Sequence, residues 1–249
     1  MQKLILFLTI CLGGCAPIWI MPDNFVPQDI KTSNFTLRTY QKILDTNAPV
    51  HIYIEGDGYA FDAMGTPTQN PTPHGTFMRE IAKYDTHLNV VYVARPCQYI
   101  MDTNCNTDIW TSGRFSKEAV DSVRDAVKQI ANGRPVVLIG YSGGAMISGI
   151  IINENPDINV QQWITIAGVL NHKDWTSYFG DTPLYNSKNM NKLPNISQTH
   201  YVAEHDKVVP IELSKKWIKP ENMIIVPNAT HNRFPDFTIK FHTDIDKRN

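Results

Sequence analysis

Short apolar runs rich in β-branched residues recur along this chain at Val50–Glu55, Val90–Ala94, Val136–Gly140, Trp163–Ala167, His200–Ala203 and Met223–Val226. Their shortness and composition predict buried strands. Between the second and third runs, Ala119, Val120, Val123, Ala126, Val127 and Ile130 repeat at helical spacing within Ser116 to Asn132. Ser116 can cap the start of that helix and Gly133 its end. The apolar stretch Ala145 to Ile152 reads as a second helix. Strand alternating with helix predicts the α/β class: right-handed β-α-β units and a mostly parallel sheet with helices on both faces. Ligands of such sheets lie at the carboxyl ends of the strands. No internal repeat or low-complexity tract interrupts the pattern, which predicts one domain.

The beginning of the chain breaks this rhythm. Met1-Gln2-Lys3 precedes an apolar run from Leu4 to Leu12, then Gly13-Gly14-Cys15, the layout of a secretory signal peptide. Leu12-Gly13-Gly14-Cys15 also resembles the lipobox of bacterial lipoproteins, an aliphatic residue, two small residues and Cys. That resemblance implies a cut after Gly14 and acylation of Cys15, with Ala16 in place of the inner-membrane Asp pointing to the outer membrane. An uncleaved signal anchor is the alternative, because Leu4 to Met21 spans 18 residues, near the length that crosses a bilayer. The expected division is a signal over 1–14, a tether over 15–34 carrying Pro17, Pro22 and Pro27, and one folded domain over 35–249.

Composition narrows the classes further. The 249 residues carry 23 Lys+Arg against 24 Asp+Glu, so no basic excess offers a counterion-release surface, and nucleic acid is excluded as a partner. No C-x-x-C pair suggests a zinc site. Of four cysteines, Cys11 falls in the signal and Cys15 takes the lipid, leaving Cys97 and Cys105. In an exported protein this pair reads as a disulfide, with two free thiols as the alternative.

Strand Val136–Ile139 runs into Gly140-Tyr141-Ser142-Gly143-Gly144 and then into the apolar helix. This is G-x-S-x-G in a strand-turn-helix setting, where a tight turn exposes the serine. The partners of such a serine follow in the order acid, then His. Glu204-His205-Asp206-Lys207-Val208-Val209-Pro210 follows one late strand, and Pro227-Asn228-Ala229-Thr230-His231 follows the last. From about residue 35 onward the chain resembles the α/β-hydrolases, with at most a small cap. Asp206 and His231 stand where that family carries its acid and base. His231 would take the Ser142 proton and pass it to the leaving group, and Asp206 would hold the imidazole in the right tautomer.

Other candidates remain for these roles. Glu204 and Asp174 are alternative acids, and His172 and His205 lie near strand ends, while His74, His87 and His242 read as surface residues and His51 as part of a strand. The oxyanion needs two donors. Gly143 N–H is one, and Glu55-Gly56-Asp57-Gly58 follows an early strand where lipases carry His-Gly-x-Gly, so the second is Asp57 or Gly58, with Asp57 favoured. A carboxylate there hinders an oxyanion unless it turns away. Arg95, Cys97, Cys105, Arg114 and the Pro67–Pro73 stretch resemble uncharacterised exported bacterial α/β-hydrolases. Gly58, Tyr141, Arg95 and Arg114 are candidate substrate contacts, the arginines for an anionic group or as structural ion-pair residues. The polar and aromatic stretch Leu170 to Ser197 suits a modest cap. The resemblance implies ester hydrolysis through an acyl-enzyme, with no cofactor and no metal. An envelope-lipid acyltransferase or thioesterase, or a catalytically dead binding lipoprotein, would fit the same chain.

Overall fold

The computed structural model describes residues 24–241. The proposed signal, Cys11, Cys15 and His242 lie outside that range. Eight strands form one sheet: β1 Val26–Lys31, β2 Thr36–Ile43, β3 Val50–Ile54, β4 Asn89–Val93, β5 Val136–Tyr141, β6 Val160–Ile166, β7 Gln198–Ala203 and β8 Met223–Val226. Their spatial order is β1-β2-β4-β3-β5-β6-β7-β8. β1 and β2 are antiparallel to their neighbours, and β3 to β8 run parallel.

All six expected strands are present, and the continuous apolar runs have the predicted cause. β3, β4 and the first five residues of β5 are fully buried because both faces of the sheet are covered. Alternate side chains enter two separate cores. Ile52, Ile54, Val91, Val93 and Leu138 pack with helices α2 (Lys117–Ala131) and α3 (Gly143–Glu154). Tyr53, Tyr92, Val137 and Ile139 pack with Met78 and Ala82 of α1 (Phe77–Tyr84) and with Phe234, Phe237 and Ile239. Two short helices, α4 (His172–Phe179) and α5 (Ile211–Trp217), complete the first layer. Among the described residues no helix is long and apolar enough to cross a membrane.

Three expectations need correction. The sheet begins at Val26, inside the stretch read as a tether over 15–34, because five of the six β1 residues are exposed and an edge strand of that kind carries no apolar alternation. β8 is not buried: only Val226 is, since the strand closes the open edge. Helices α1, α4 and α5 escaped the sequence reading because each is only seven or eight residues long, too short for a periodic pattern. α2 matches its predicted span, with Ser116 Oγ accepting from Ala119 N–H and Asn132 turning left-handed at φ 46° before Gly133.

A buried histidine makes the sheet acid-sensitive. His200, wholly buried on β7, meets Thr165 Oγ1 with Nδ1 at 2.8 Å and Gln198 Oε1 with Nε2 at 2.8 Å. Burial lowers its pKa from 6.5 to about 4. The unfolded chain therefore takes up this proton below pH 6.5 and the native state does not, so stability falls between pH 6.5 and 4 by on the order of 3 kcal/mol. Urea unfolding at pH 7 and pH 4.5 will show this loss, and His200→Gln will flatten the slope while lowering stability at pH 7.

Candidate active site

The order of the sheet sets the place of the chemistry. From β3 the chain crosses to β4 on one side and then to β5 on the other, so a crevice opens between the carboxyl ends of β3 and β5. Ser142 leaves β5 there and the Glu55–Gly58 segment leaves β3 beside it. Ser142 adopts φ 50° and ψ −119°, a conformation that costs a non-glycine residue about 1–3 kcal/mol. Three backbone bonds hold it: its N–H donates to Ile166 C=O at 3.0 Å, and its C=O accepts from Ala145 and Val169 at 3.1 and 3.0 Å. The two following glycines are there for space. A Cβ on Gly144 would collide with Ile54 C=O and lie 2.5 Å from Glu55 C=O, and one on Gly143 would collide with the Asp57 carboxylate.

Ser142, His231 and Asp206 come together from three strand ends. His231 Nε2 lies 3.1 Å from Ser142 Oγ, and His231 Nδ1 lies 2.9 Å from Asp206 Oδ2 and 3.1 Å from Oδ1. The Asp206 side chain is fully shielded from solvent. Its Oδ1 also accepts from Val208 and Val209 N–H, both at 2.8 Å, which fixes the carboxylate plane. The loops carrying acid and base are joined by backbone as well: His205 N–H donates to Ala229 C=O at 2.9 Å, and Asn228 N–H to Glu204 Oε2 at 2.8 Å.

The rival candidates have other roles. Glu204 is occupied by that bond to Asn228. Asp174 binds Lys216 Nζ and Trp217 Nε1, both at 2.7 Å, and holds α4 to α5. His172 is buried against the Phe115 ring, with ring centroids 5.9 Å apart. His51 lies in β3 as expected and pairs with Asp85 at 2.7 Å, and His87 stacks on its ring, so His87 is not a plain surface residue. His74 is exposed, as read, and stacks on Tyr59, ring centroids 3.9 Å apart, in the wall of the cavity over Ser142.

That cavity measures about 900 Å³ and contains Ser142 and His231, with Gly58, Phe61, Tyr141 and Trp175 in its walls. A neighbouring cavity of about 970 Å³ shares Gly75, Phe77 and Asn232 with it but contains none of the three polar residues of the Ser142 constellation. Trp175, on the short helix α4, is the main contribution of the stretch expected to form a cap. Burial raises the Tyr141 phenol far above its usual pKa, so this ring, 5.3 Å from that of His231, stays neutral.

The expected oxyanion region is built as follows. Neither Gly143 N–H nor Asp57 N–H has a hydrogen-bond partner among the described residues. The Glu55 carboxylate turns away, accepting from Tyr92 Oη at 2.8 Å and Gly56 N–H at 2.9 Å. Burial raises its pKa against these bonds. Asp57 binds both Arg95 and Arg114, the latter at 2.8 Å. Burial pushes the Asp57 carboxyl up, and the two guanidiniums together outweigh it and hold it below its usual value. Arg95 does not line the cavity over Ser142, which corrects its assignment as a substrate contact: its guanidinium is used on Asp57 and on Arg114 C=O. Arg114 does line the cavity. Cys97 and Cys105 form a disulfide between the two arginines in sequence.

No protein-family model matches the chain, and no curated sequence matches it. Solved structures match it along most of its length. An α/β serine hydrolase without a lid from Xanthomonas campestris superposes with TM-score 0.52 at 13% identity, covering 84% of this chain and 87% of its own. An α-β serine hydrolase homologue from Coxiella burnetii gives 0.53 at 16% identity, with 86% and 91% covered. The fold is the α/β-hydrolase fold. A serine hydrolase from Cycloclasticus zankles, 13% identical, gives 0.53 with 83% and 90% covered. At such identities the α/β-hydrolase likeness speaks for architecture, and the chemistry rests on the site itself.

Proposed function

We propose that the protein is a serine hydrolase that cleaves a carboxylic ester through an acyl-Ser142 intermediate. The observation that carries this reading is the relay of contacts from Ser142 Oγ through the two nitrogens of His231 to the shielded Asp206 carboxylate. With Nδ1–H donating to Asp206, Nε2 is left to accept the Ser142 proton, so the serine oxygen becomes nucleophilic as it attacks the carbonyl. Gly143 N–H and Asp57 N–H donate to the oxygen that gains charge. His231 then returns the proton to the departing alcohol, and water repeats the sequence to release the acid. The named neighbours, serine hydrolases among them, favour the same class.

A fluorophosphonate probe will label the folded protein at Ser142, and Ser142→Ala will abolish both the label and hydrolysis of a 4-nitrophenyl ester series from acetyl to long chain. An unlabelled wild-type protein with intact fold would sink the reading and leave a binding protein. Transfer of the acyl group to an added alcohol in preference to water would make it an acyltransferase.

We propose further that the chain is exported and held at a membrane by acylated Cys15. The lipobox-like run at Leu12–Cys15 and the Cys97–Cys105 bridge, a bond that oxidising compartments maintain, support this. Mass spectrometry of the natural protein will find an N-terminus at Cys15 bearing acyl chains; an unmodified Met1 terminus rejects it.

A further inference from the structure

The substitution of a polar, charged sequence for the usual oxyanion loop leaves Asp57 with two functional ends. Its backbone N–H is the second oxyanion donor just proposed, and its carboxylate is bound by two guanidiniums that are themselves buried, Arg95 and Arg114. The pair lies directly against the other donor: a Cβ placed on Gly143 would strike Asp57 Oδ1 and lie 2.7 Å from Arg95 Nη1. Gln98, also buried, ties the same loop down, donating from Nε2 to Gly56 C=O at 3.0 Å while its Oε1 accepts from Arg95 N–H at 3.0 Å.

We propose that Asp57, through its carboxylate, is the positioning residue of the oxyanion site: clamped by Arg95 and Arg114, it fixes its own N–H against that of Gly143. The inference rests on the serine-hydrolase reading and adds a role for the side chain that the reaction itself does not require. The two guanidiniums offset the charge of the Asp57 carboxylate, so it does not oppose an oxyanion forming beside it. Both arginines come from the loop that follows β4 and leads to α2, and the Cys97–Cys105 bridge closes that loop between them.

The test is the steady-state and pre-steady-state kinetics of Asp57→Asn, normalised to competent sites by fluorophosphonate titration. Asparagine keeps the shape and the backbone N–H but loses the charge that holds the guanidiniums. A displaced catalytic donor costs about 10- to 100-fold in rate, so kcat per titrated site should fall by that factor with KM within about two-fold. Arg95→Met is the second variant, useful if the first does not fold. Arg95 does not line the cavity, so a fall in kcat there cannot come from a lost substrate contact, and Arg95→Lys should recover part of it. Unchanged kcat per titrated site in a folded variant, or a rise in KM alone, overturns the proposal and leaves a merely structural ion pair. Failure of the wild-type protein to react with the probe would instead overturn the hydrolase reading on which it stands.

Discussion

Asp206→Asn will lower kcat for ester hydrolysis by about 10⁴-fold while leaving the thermal midpoint within a few degrees of wild type. The direction follows from which atoms already hold the carboxylate. Val208 and Val209 N–H both donate to Oδ1, and neither can turn toward an NH₂ group. The introduced amide must therefore keep its oxygen on those two donors and place its NH₂ where Oδ2 now meets His231 Nδ1. The imidazole responds by accepting at Nδ1 and carrying its proton on Nε2. That proton then faces Ser142 Oγ across 3.1 Å, where an acceptor is required. Each group stays in place and the proton is on the wrong nitrogen. Asp174→Asn, by contrast, will leave kcat unchanged and lower stability, since that carboxylate only joins α4 to α5. Paired measurements of kcat and thermal unfolding on the two variants decide between the acids, and equal loss of kcat in both would reject Asp206 as the one that matters.

Gly143→Ala will cost about 10²- to 10³-fold in kcat, the range for losing one oxyanion donor, even where the protein folds and the wild-type serine is present. Space decides this. The added methyl would overlap the Asp57 carboxylate and press on Arg95 Nη1, and the carboxylate is held in place by its ion pair with the buried Arg95. Either the Asp57 loop or the start of α3 must shift, and both carry a donor. The measurement is kcat with an active-site titre, alongside circular dichroism to verify the helix. Retention of wild-type kcat would mean that the oxyanion is bound elsewhere.

Much of this site is legible in the sequence because its parts are local. A G-x-S-x-G turn between an apolar strand and an apolar helix, and two polar turns after later strands, mark Ser142, Asp206 and His231 without knowledge of their contacts. The same holds for the core: β3 to β7 read as buried runs because both sheet faces are covered. What the sequence hides is pairing over distance. Asp57 meets Arg95 and Arg114, 38 and 57 residues away, and nothing in the local pattern of either arginine separates a clamp from a substrate contact. Gln98 gives no signal at all, and the Tyr59–His74 stack in the cavity wall joins two residues from distant parts of the long connection between β3 and α1. β1 was invisible for the opposite reason: an edge strand with one buried residue has no pattern to read.

The four-residue β8 has a consequence for how the molecule fails. It is the strand that delivers His231, and it lies at the open edge with Val226 as its one buried residue. Ser142 and Asp206 leave interior strands, so the base hangs on the part of the sheet that opens at least cost. Fraying of that edge disarms the site while the remaining strands stay paired. Catalytic competence is then a stricter property than foldedness, and on warming it is surrendered first.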